Sequence, residues 1–288
     1  MTTTRRLLAL AVTLLFSFVP LKAQLPISAE DAKAFAEADW TVVPLNKDAT
    51  ARSASIQMFN STQFISVITY NPKRHDTALL QLDNACTATT DKMAEDAGYT
   101  MAANGSYFNT KTFYPSTYVR VGKKVYGEAA ANQFYRVNGV IAFKDKKGRK
   151  PVIEFCDSSS YTSLCKKWYA VLAAGPMLMK DGERIGYDSK KTFYIKRHPR
   201  TLIGYDKDKN VTLAVIDGRF PEGIGATIEE TAIIAELLGL QDAINLDGGG
   251  SSTIWSAETG ILNHPYDNKK FDHEGARKVP NCIAVRKR

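Results

Sequence analysis

The feature that most constrains the fold is a strand, helix and strand pattern in the C-terminal third of the chain. The segments "VTLAVID" and "AINLD" are typical of buried strands, and each ends in an aspartate, Asp217 and Asp247. Between them, Thr227 and Glu230 match a capping box and Gly239 provides a stop, so "IEETAIIAELLG" predicts a helix. We therefore predict a βαβ unit with parallel strands, a right-handed crossover and both aspartates at one edge of the sheet.

A β-hairpin is predicted directly before that unit. Its turn at residues 206–210 separates two apolar runs, and this turn pairs Tyr205 with Val211 and Arg200 with Ile216. The preceding segment "RHPR" then lies beside the first aspartate. We expect basic and acidic side chains to meet at this edge, where ligands of α/β arrangements often bind.

The rest of the chain contains mostly strand patterns. The segments "SASIQMF", "QFISVITY" and "TALLQL" indicate strands, and "TTDKMAEDAG" indicates a helix. The segments "RVNGVIAF" and "PVIEF", joined by "KDKKGRK", predict a second hairpin. These patterns predict an α+β fold, with a mixed, largely antiparallel sheet flanked by helices and a C-terminal βαβ unit forming the site edge.

The first 23 residues have the pattern of a signal peptide. Arg5 and Arg6 precede an apolar run of 13 residues, and "LKA" ends at Ala23, which fits a cleavage site. That run is too short to span a membrane comfortably, and no later segment is long enough. We expect an exported protein, periplasmic or extracellular, without a membrane anchor after cleavage.

No internal repeat or linker divides the remaining chain. We expect residues 24–84 to form an N-terminal helix and strands packed on a body of residues 85–288, with 24–288 as one compact unit. Hydrophobic residues make up 44% and charged residues 24%, which is typical of a globular protein. The formal net charge falls from +8 to +5 without the signal peptide, and no basic stripe with interleaved aromatics predicts a nucleic acid partner. The oligomeric state stays open.

Four cysteines in an exported chain suggest disulfides. Cys156 and Cys165 flank a short polar loop, so we predict a bridge between them, and Cys86 then pairs with Cys282 by elimination. Free buried thiols are the alternative. A zinc site is not indicated, because the chain has no Cys-x-x-Cys pair and only four histidines.

The second aspartate is followed by more glycine than a reverse turn requires. Gly248, Gly249 and Gly250 are succeeded by Ser251 and Ser252. Consecutive glycine amides can form an anion-binding nest, and glycine lets a phosphate or sugar approach the backbone closely. The two hydroxyls add hydrogen-bond donors. This stretch is therefore the strongest candidate for a binding site.

Other candidates at this edge also have simpler explanations. Arg200 and Arg219 carry planar forks suited to phosphate oxygens. His198 could contact a substrate or be a surface residue. Asp217 begins an Asp-Gly dipeptide common in turns, and Glu230 could simply cap its helix. Because paired carboxylates are usual in glycoside hydrolysis, carboxylates beside arginines indicate a substrate that is both sugar and phosphate.

Several stretches resemble the phosphodiester glycosidase family, in the same order. They are "NGSYF", "RVNGVIAF", "AAGPMLMKDGE", "HPRTLIGYDKDKNVTLAVIDGR", "GATIEETAIIAELLGLQDAINLDGGGSSTIW" and "RKVPNCIAV". The resemblance covers roughly residues 85–285, is densest over 197–255, and corresponds to a catalytic domain alone. It implies hydrolysis of a sugar joined through its anomeric carbon to a phosphodiester. By motif position it also implies the pocket residues Asn104, Arg200, Asp217, Arg219, Glu230, Asp247, Gly248, Gly249 and Ser251.

The leading hypothesis is an exported glycosidase acting on a phosphodiester of an N-acetylglucosamine-type sugar, with no cofactor required. Arg200, Arg219 and the glycine amides would hold the phosphate. Asp217, Asp247 or Glu230 would supply the nucleophile or base.

Two other functions remain open. One is non-catalytic binding of an envelope glycan or phosphopolymer. The other is a metal-dependent phosphodiesterase in which Asp217 and Asp247 bind Ca²⁺ or Mg²⁺.

Overall fold

The computed structural model describes residues 26–83, 85–129, 131–146, 151–156 and 167–288. Its helices are α1 (Ala29–Ala36), α2 (Thr90–Asp96), α3 (Thr192–Ile195) and α4 (Ile228–Leu237). Its strands are β1 (Thr41–Asn46), β2 (Ala49–Met58), β3 (Ser61–Tyr70), β4 (His75–Gln81), β5 (Met101–Asn104), β6 (Val119–Val121), β7 (Lys124–Gly127), β8 (Gly139–Phe143), β9 (Val152–Phe155), β10 (Ala170–Ala174), β11 (Met177–Lys180), β12 (Glu183–Arg184), β13 (Arg200–Asp206), β14 (Val211–Ile216), β15 (Leu240–Asn245), β16 (Ile254–Ser256), β17 (Gly260–Ile261) and β18 (Asn281–Lys287).

Two predictions fall on parts of the chain outside these ranges. The predicted signal peptide lies outside the described residues, and so does the Cys156–Cys165 bridge, because Cys165 is not among them. Within the described ranges, no helix combines the length and apolar character needed to cross a bilayer.

The strands form three sheets. The first has eight strands in the order β1-β2-β3-β14-β13-β15-β11-β12, the second has the order β7-β6-β10-β8-β9, and the third has the order β17-β16-β5-β18-β4. All strand pairs among the described residues are antiparallel. The prediction of a largely antiparallel α+β fold is confirmed.

The strand, helix and strand pattern folds as predicted, but its two strands are not neighbours. β14 and β15 each pair antiparallel with β13, which lies between them. The prediction of an adjacent parallel pair is therefore wrong, because the first strand of the preceding hairpin occupies the central position. Since both flanking strands oppose β13, they run in the same direction, and their carboxyl ends share one edge of the sheet.

The local predictions around this edge are confirmed. The hairpin pairs Arg200 with Ile216 and Tyr205 with Val211, in the predicted register. The N-terminus of α4 has the predicted capping box, in which the Thr227 hydroxyl accepts from the Glu230 amide and the Glu230 carboxylate accepts from the Thr227 amide.

The large sheet is buried on both faces. Alternate strand residues on one face, such as Leu202 and Ala214, pack against α4. Residues on the other face, such as Ile203 and Leu213, pack in one core with residues of the two smaller sheets. Burial on both faces explains why these central strands are apolar throughout. The same packing holds in place the strand ends that lead to the two aspartates.

The predicted Cys86–Cys282 disulfide is wrong, because both residues are free thiols. Cys282 lies in β18, paired across the sheet with Leu80 and Asn104, and its side chain packs among residues of α2 and β16. Cys86 lies exposed in the loop before α2. Burial raises the pKa of the Cys282 thiol, so this cysteine acts as an apolar core residue.

Candidate active site

Asp247 follows β15, and its backbone is fixed on both sides. Its amide donates to the Gly105 carbonyl at 3.0 Å, and its carbonyl accepts from Asn104 Nδ2 at 2.7 Å. Asn104 is fully buried, and its Oδ1 accepts from Thr201 Oγ1 at 2.9 Å and from the Thr253 amide at 3.1 Å. Asn104, a predicted pocket residue, therefore positions the aspartate loop through buried hydrogen bonds.

The first two glycines after Asp247 are required by close approaches within the protein. A Cβ at Gly248 would lie 2.5 Å from the Pro199 carbonyl oxygen. Gly249 has a φ of +66°, and a Cβ there would lie 3.1 Å from Arg219 Nη2. The Gly248 amide donates to Asp247 Oδ1 at 3.0 Å, and the Gly249 amide donates to the Pro199 carbonyl at 2.9 Å. These two predicted phosphate donors are thus already engaged inside the protein.

Gly250 is required by an ion pair. A Cβ at this position would lie 2.1 Å from Asp267 Oδ1 and 2.2 Å from Arg277 Nη2. Arg277 binds Asp267 through two hydrogen bonds of 2.7 Å each. The following Ser251 and Ser252 are buried in a short 3₁₀ turn and its cap. The glycine run therefore allows an ion pair and a guanidinium to reach the backbone beside Asp247.

The carboxyl group of Asp247 has a strongly shifted pKa. Burial raises this pKa to about 6, and the Ser251 hydroxyl, the charges of Arg136 and Arg277 and the Gly248 amide oppose the rise. A carboxyl group with a pKa close to neutral can take and release a proton at the pH where an enzyme works. Asp247 is therefore suited to general base chemistry.

Arg219 lies beside this loop as an exposed cation. Its guanidinium carbon is 4.9 Å from the centre of the Tyr266 ring, and its Nη2 faces Gly249. Within the described part of the chain, its side chain has no carboxylate partner. Its φ of +72° is unusual for a residue other than glycine, and strained backbone of this kind is enriched at functional sites. The predicted position of Arg219 at the site edge agrees with these contacts.

Two further arginines act on Asp247, and sequence reasoning did not single them out. Arg136 lies ahead of β8, and Arg277 lies ahead of β18. Both lower the pKa of Asp247 through their charge. Each stands inside a stretch that carries the family resemblance, "RVNGVIAF" and "RKVPNCIAV", and this was the available signal. The resemblance identified the segments that contain Arg136 and Arg277. Their interaction with Asp247 could be found only from the three-dimensional structure.

Arg200 lies at the predicted edge but faces inward. It is only 2% exposed, and its Nε donates to the Ala226 carbonyl at 2.9 Å. Its Nη2 donates to the carbonyls of Phe193 and Lys196 at 2.7 and 3.2 Å. Burial lowers the pKa of Arg200 to about 10, so it still carries a charge at neutral pH. These contacts are those of a residue that holds backbone segments together, and its predicted role as a phosphate ligand gains no contact that supports it.

Asp217 is fully buried, and partners that the sequence did not indicate occupy its oxygens. Asn263 Nδ2 donates to Oδ1 at 3.1 Å, and the His264 amide donates to Oδ2 at 2.9 Å. His264 Nδ1 lies 2.8 Å from the same Oδ2, and the His264 ring stacks on Phe271 with centroids 3.6 Å apart. Burial raises the pKa of Asp217, while His264 and Asn263 oppose the rise. This carboxylate organises the loop after β17.

Glu230 forms the capping box and an ion pair. Arg197 Nε donates to both Glu230 oxygens, at 3.1 and 3.0 Å, and the Thr227 amide donates to Oε2 at 2.8 Å. Glu230 lines a cleft of 480 Å³ that also contains Tyr187 and Tyr194. Asp247 does not line this cleft.

His198 joins the segment before β13 to the segment before α4. Its backbone amide and carbonyl exchange hydrogen bonds with Ala226. Burial lowers the pKa of its ring, and the charges of Arg200, Arg219 and Lys196 add to this effect. The ring is therefore neutral at pH 7 and lies within the influence of Arg219. Contact of His198 with a substrate stays a prediction.

No group of three or more His, Cys, Asp or Glu side chains arranged for a metal ion occurs in the described ranges. Asp217 and Asp247, the predicted ligands, are engaged separately. The oxygens of Asp217 accept from Asn263 and His264, and Oδ1 of Asp247 accepts from Gly248.

Comparisons with known proteins identify the family and the fold. A sequence model of the phosphodiester glycosidase family matches residues 97–286. The zebrafish N-acetylglucosamine-1-phosphodiester alpha-N-acetylglucosaminidase catalytic domain, auto-inhibited by pro-peptide, superposes with a TM-score of 0.64 at 15% identity, over 94% of this chain and 97% of that chain. A search of curated proteins finds no significant match.

A hypothetical protein from Synechocystis has the same fold, with a TM-score of 0.63 and 16% identity over 88% of this chain. The alignment spans 65% of the length of that protein. At such identities the likeness concerns the fold alone.

Proposed function

Because the chain belongs to the phosphodiester glycosidase family, we propose that it hydrolyses a sugar-1-phosphodiester to free sugar and a phosphomonoester. We propose a sugar of the N-acetylglucosamine type, since the zebrafish enzyme of similar fold is named for that substrate. The protein acts as an exported enzyme, in the periplasm or outside the cell, and requires no cofactor.

The observation that carries this proposal is the setting of Asp247. The carboxyl group of Asp247 has a pKa of about 6, and the positive charges of Arg136 and Arg277 act on it. Arg219, a third arginine, faces the adjacent glycine run. A carboxylate in a cationic surrounding fits a substrate that brings its own negative charge next to a carbon under attack.

We propose that Asp247 is the general base. It takes a proton from water as the water oxygen bonds to the anomeric carbon, and the bond from that carbon to the phosphate oxygen breaks. The phosphomonoester leaves with the bonding electrons, while Arg219 and Arg136 stabilise its charge. A phosphomonoester has a second pKa of about 6, so it leaves without a strong general acid. Asp217 and Glu230, whose oxygens accept hydrogen bonds from the protein, have supporting roles in this scheme.

The test is incubation of the purified protein with a panel of glycosyl-1-phosphodiesters, including an α-N-acetylglucosaminyl phosphodiester and UDP-N-acetylglucosamine. We expect release of N-acetylglucosamine together with a phosphomonoester, or with UDP when the substrate is UDP-N-acetylglucosamine. Attack by water on the face opposite the phosphate inverts the anomeric carbon, so NMR at early times should show the β-anomer first.

Two controls separate this function from the other hypotheses. Activity that is lost with chelator and restored by Ca²⁺ or Mg²⁺ would favour the metal-dependent phosphodiesterase. Binding of the diesters by well-folded protein without any sugar release would favour the non-catalytic binding protein.

A further inference from the structure

Two of the four histidines, His264 and His273, form a stacked pair in the loop after β17. Their ring centroids lie 4.5 Å apart, and the angle between the ring planes is 28°. The ring of Phe271 also stacks on His264, with centroids 3.6 Å apart. Phe64 meets the His264 ring edge to face, with centroids 4.5 Å apart. These ring contacts hold the two imidazoles side by side in a defined orientation.

One nitrogen of each ring, Nδ1, is engaged by an acceptor of the protein. Nδ1 of His264 lies 2.8 Å from Asp217 Oδ2. Nδ1 of His273 lies 3.0 Å from the Asn263 carbonyl oxygen. Because an ionised carboxylate and a carbonyl only accept hydrogen bonds, the proton of each neutral ring lies on Nδ1 and the lone pair on Nε2. This is the arrangement of metal-binding histidines, whose other ring nitrogen donates to a carboxylate or a backbone carbonyl.

The second ring nitrogen, Nε2, has no hydrogen-bond partner among the described residues in either histidine. His273 is exposed, and Nε2 of the mostly buried His264 still reaches solvent. His273 also lines an open cavity of 310 Å³ together with Ser53 and Leu262, which leaves space for water beside the pair. Two nitrogens with lone pairs on stacked rings can bind one ion, while water occupies its remaining coordination positions.

The other two histidines of the chain are not suited to bind a cation. His75 is fully buried, and both of its ring nitrogens are engaged, by Asn46 Nδ2 at 3.2 Å and by the Asn71 carbonyl at 2.9 Å. His198 lies under the positive charge of nearby arginines, which repels a cation. Metal-binding character is therefore confined to the stacked pair.

The charges beside the pair favour a cation. Asp217 contacts His264 directly. Asp272 precedes His273 in the sequence and interacts electrostatically with His264. A positive ion bound to the two Nε2 atoms is attracted by both carboxylates, which need not coordinate it.

We propose that Nε2 of His264 and Nε2 of His273 together bind one transition-metal ion of the Zn²⁺, Cu²⁺ or Ni²⁺ class. Imidazole nitrogen suits these ions, whereas Ca²⁺ and Mg²⁺ prefer oxygen ligands. The ion keeps water on its other positions and is not required for hydrolysis. It joins two points of the loop that brings Tyr266 against Arg219, and it therefore stabilises that loop.

The test is calorimetric titration of the protein, without an affinity tag, with ZnCl₂, NiCl₂ and CuCl₂ at pH 7.5, and with MgCl₂ and CaCl₂ for comparison. We expect one transition-metal ion per chain and no binding of Mg²⁺ or Ca²⁺ at the pair. The Tm should rise by about 5 °C at a free metal concentration 100 times Kd. Pulsed EPR of the Cu²⁺ form should show two imidazole nitrogens. His273→Ala should weaken binding at least about 10-fold and remove the rise in Tm. The metal-free variant should keep its stability, because His273 is exposed.

His198→Ala is the matched control, because it removes a partly exposed histidine outside the pair and should bind the metal as the wild type does. Absence of binding for all three transition metals would overturn the inference. Equal affinity in the wild type and His273→Ala, or an EPR spectrum with a single nitrogen ligand, would overturn it as well. None of these measurements involves hydrolysis, so their outcome is independent of the proposed function.

Discussion

Asp217 and Asp247 follow two strands that run in the same direction, and each is followed by glycine, yet their surroundings are opposite. Asp217 is fully buried, and Asn263 and His264 saturate its oxygens with hydrogen bonds. Asp247 is partly buried, and its Oδ1 accepts from the amide of the next residue, Gly248. The same dipeptide at the same edge thus gives one carboxylate held by three hydrogen bonds and one that we propose as the general base.

The difference comes from the loop that continues from each aspartate. After Asp217 the chain turns tightly, so that Phe220 and Gly223 exchange backbone hydrogen bonds, and residues of the loop after β17 close over the carboxylate. After Asp247 the glycine run keeps side chains away and admits the guanidinium of Arg219. The surroundings of the two carboxylates are therefore determined by the neighbouring loops and not by the strand ends.

The strongest test of this comparison is Asp247→Asn. The amide cannot accept a proton from water, so kcat/KM for the phosphodiester should fall by about 10³-fold. The measurement is initial rate of sugar release by protein whose fold is verified by circular dichroism. Asp208→Asn, in the exposed 206–210 turn, is the control and should keep full activity. If Asp247→Asn keeps a tenth or more of the activity, Asp247 is not the base.

The reciprocal change, Asp217→Asn, should affect stability instead. The NH₂ group of the new asparagine would face another donor, either Asn263 Nδ2 or His264. A buried donor left without an acceptor lowers the free energy of unfolding by about 2 kcal/mol. Urea denaturation measures this loss, and the folded fraction should retain most of its activity. An Asp217→Asn variant with unchanged stability but no activity would contradict the structural role of Asp217 and give it the role proposed for Asp247.

The sequence predicts the local geometry of this edge well. The turn at 206–210 determines the pairing of Arg200 with Ile216, because a hairpin register depends on nearby residues. The capping box at Thr227 and Glu230 also depends on residues three apart. Local hydrogen bonding and side-chain periodicity determine both features, so sequence reasoning can find them.

Long-range contacts were not predictable in the same way. The insertion of β13 between β14 and β15 depends on competition among strands of similar apolar character. His264 reaches Asp217 across 47 residues, and no sequence spacing indicates such a pairing. Arg200 carries the right group at the right edge, but its inward direction depends on carbonyls of segments that only the fold assembles.

A smaller effect is expected from Arg219. Arg219→Gly removes the cation while accommodating the φ of +72°, so kcat/KM for the phosphodiester should fall about 30-fold without loss of stability. Arg219→Lys keeps the charge without the planar fork and should lie between Arg219→Gly and the wild type. Kinetics with an aryl N-acetylglucosaminide that lacks phosphate provide the control. An equal loss on both substrates would show that Arg219 does not act on the phosphate.

The smallest effect concerns the stability of the Asp247→Asn variant. Burial raises the folded-state pKa of Asp247 to about 6, above its value of 3.8 in the unfolded chain. Protonation therefore favours the folded state, and the wild type loses stability as the pH rises from about 4 to about 6. The amide avoids this cost, so the variant should be more stable by about 1 kcal/mol above pH 6, a value reduced for partial exposure.

Urea titrations of the wild type and Asp247→Asn at pH 4 and pH 7.5 measure this difference. The stability gain should be present at pH 7.5 and should nearly vanish at pH 4, while Asp208→Asn should show no comparable change. The gain at neutral pH, together with the loss of activity, is the signature of a carboxylate kept for its chemistry at the expense of the fold. If Asp247→Asn is less stable than the wild type at pH 7.5, Asp247 has a structural role like that of Asp217. The proposed difference between the two aspartates would then be wrong.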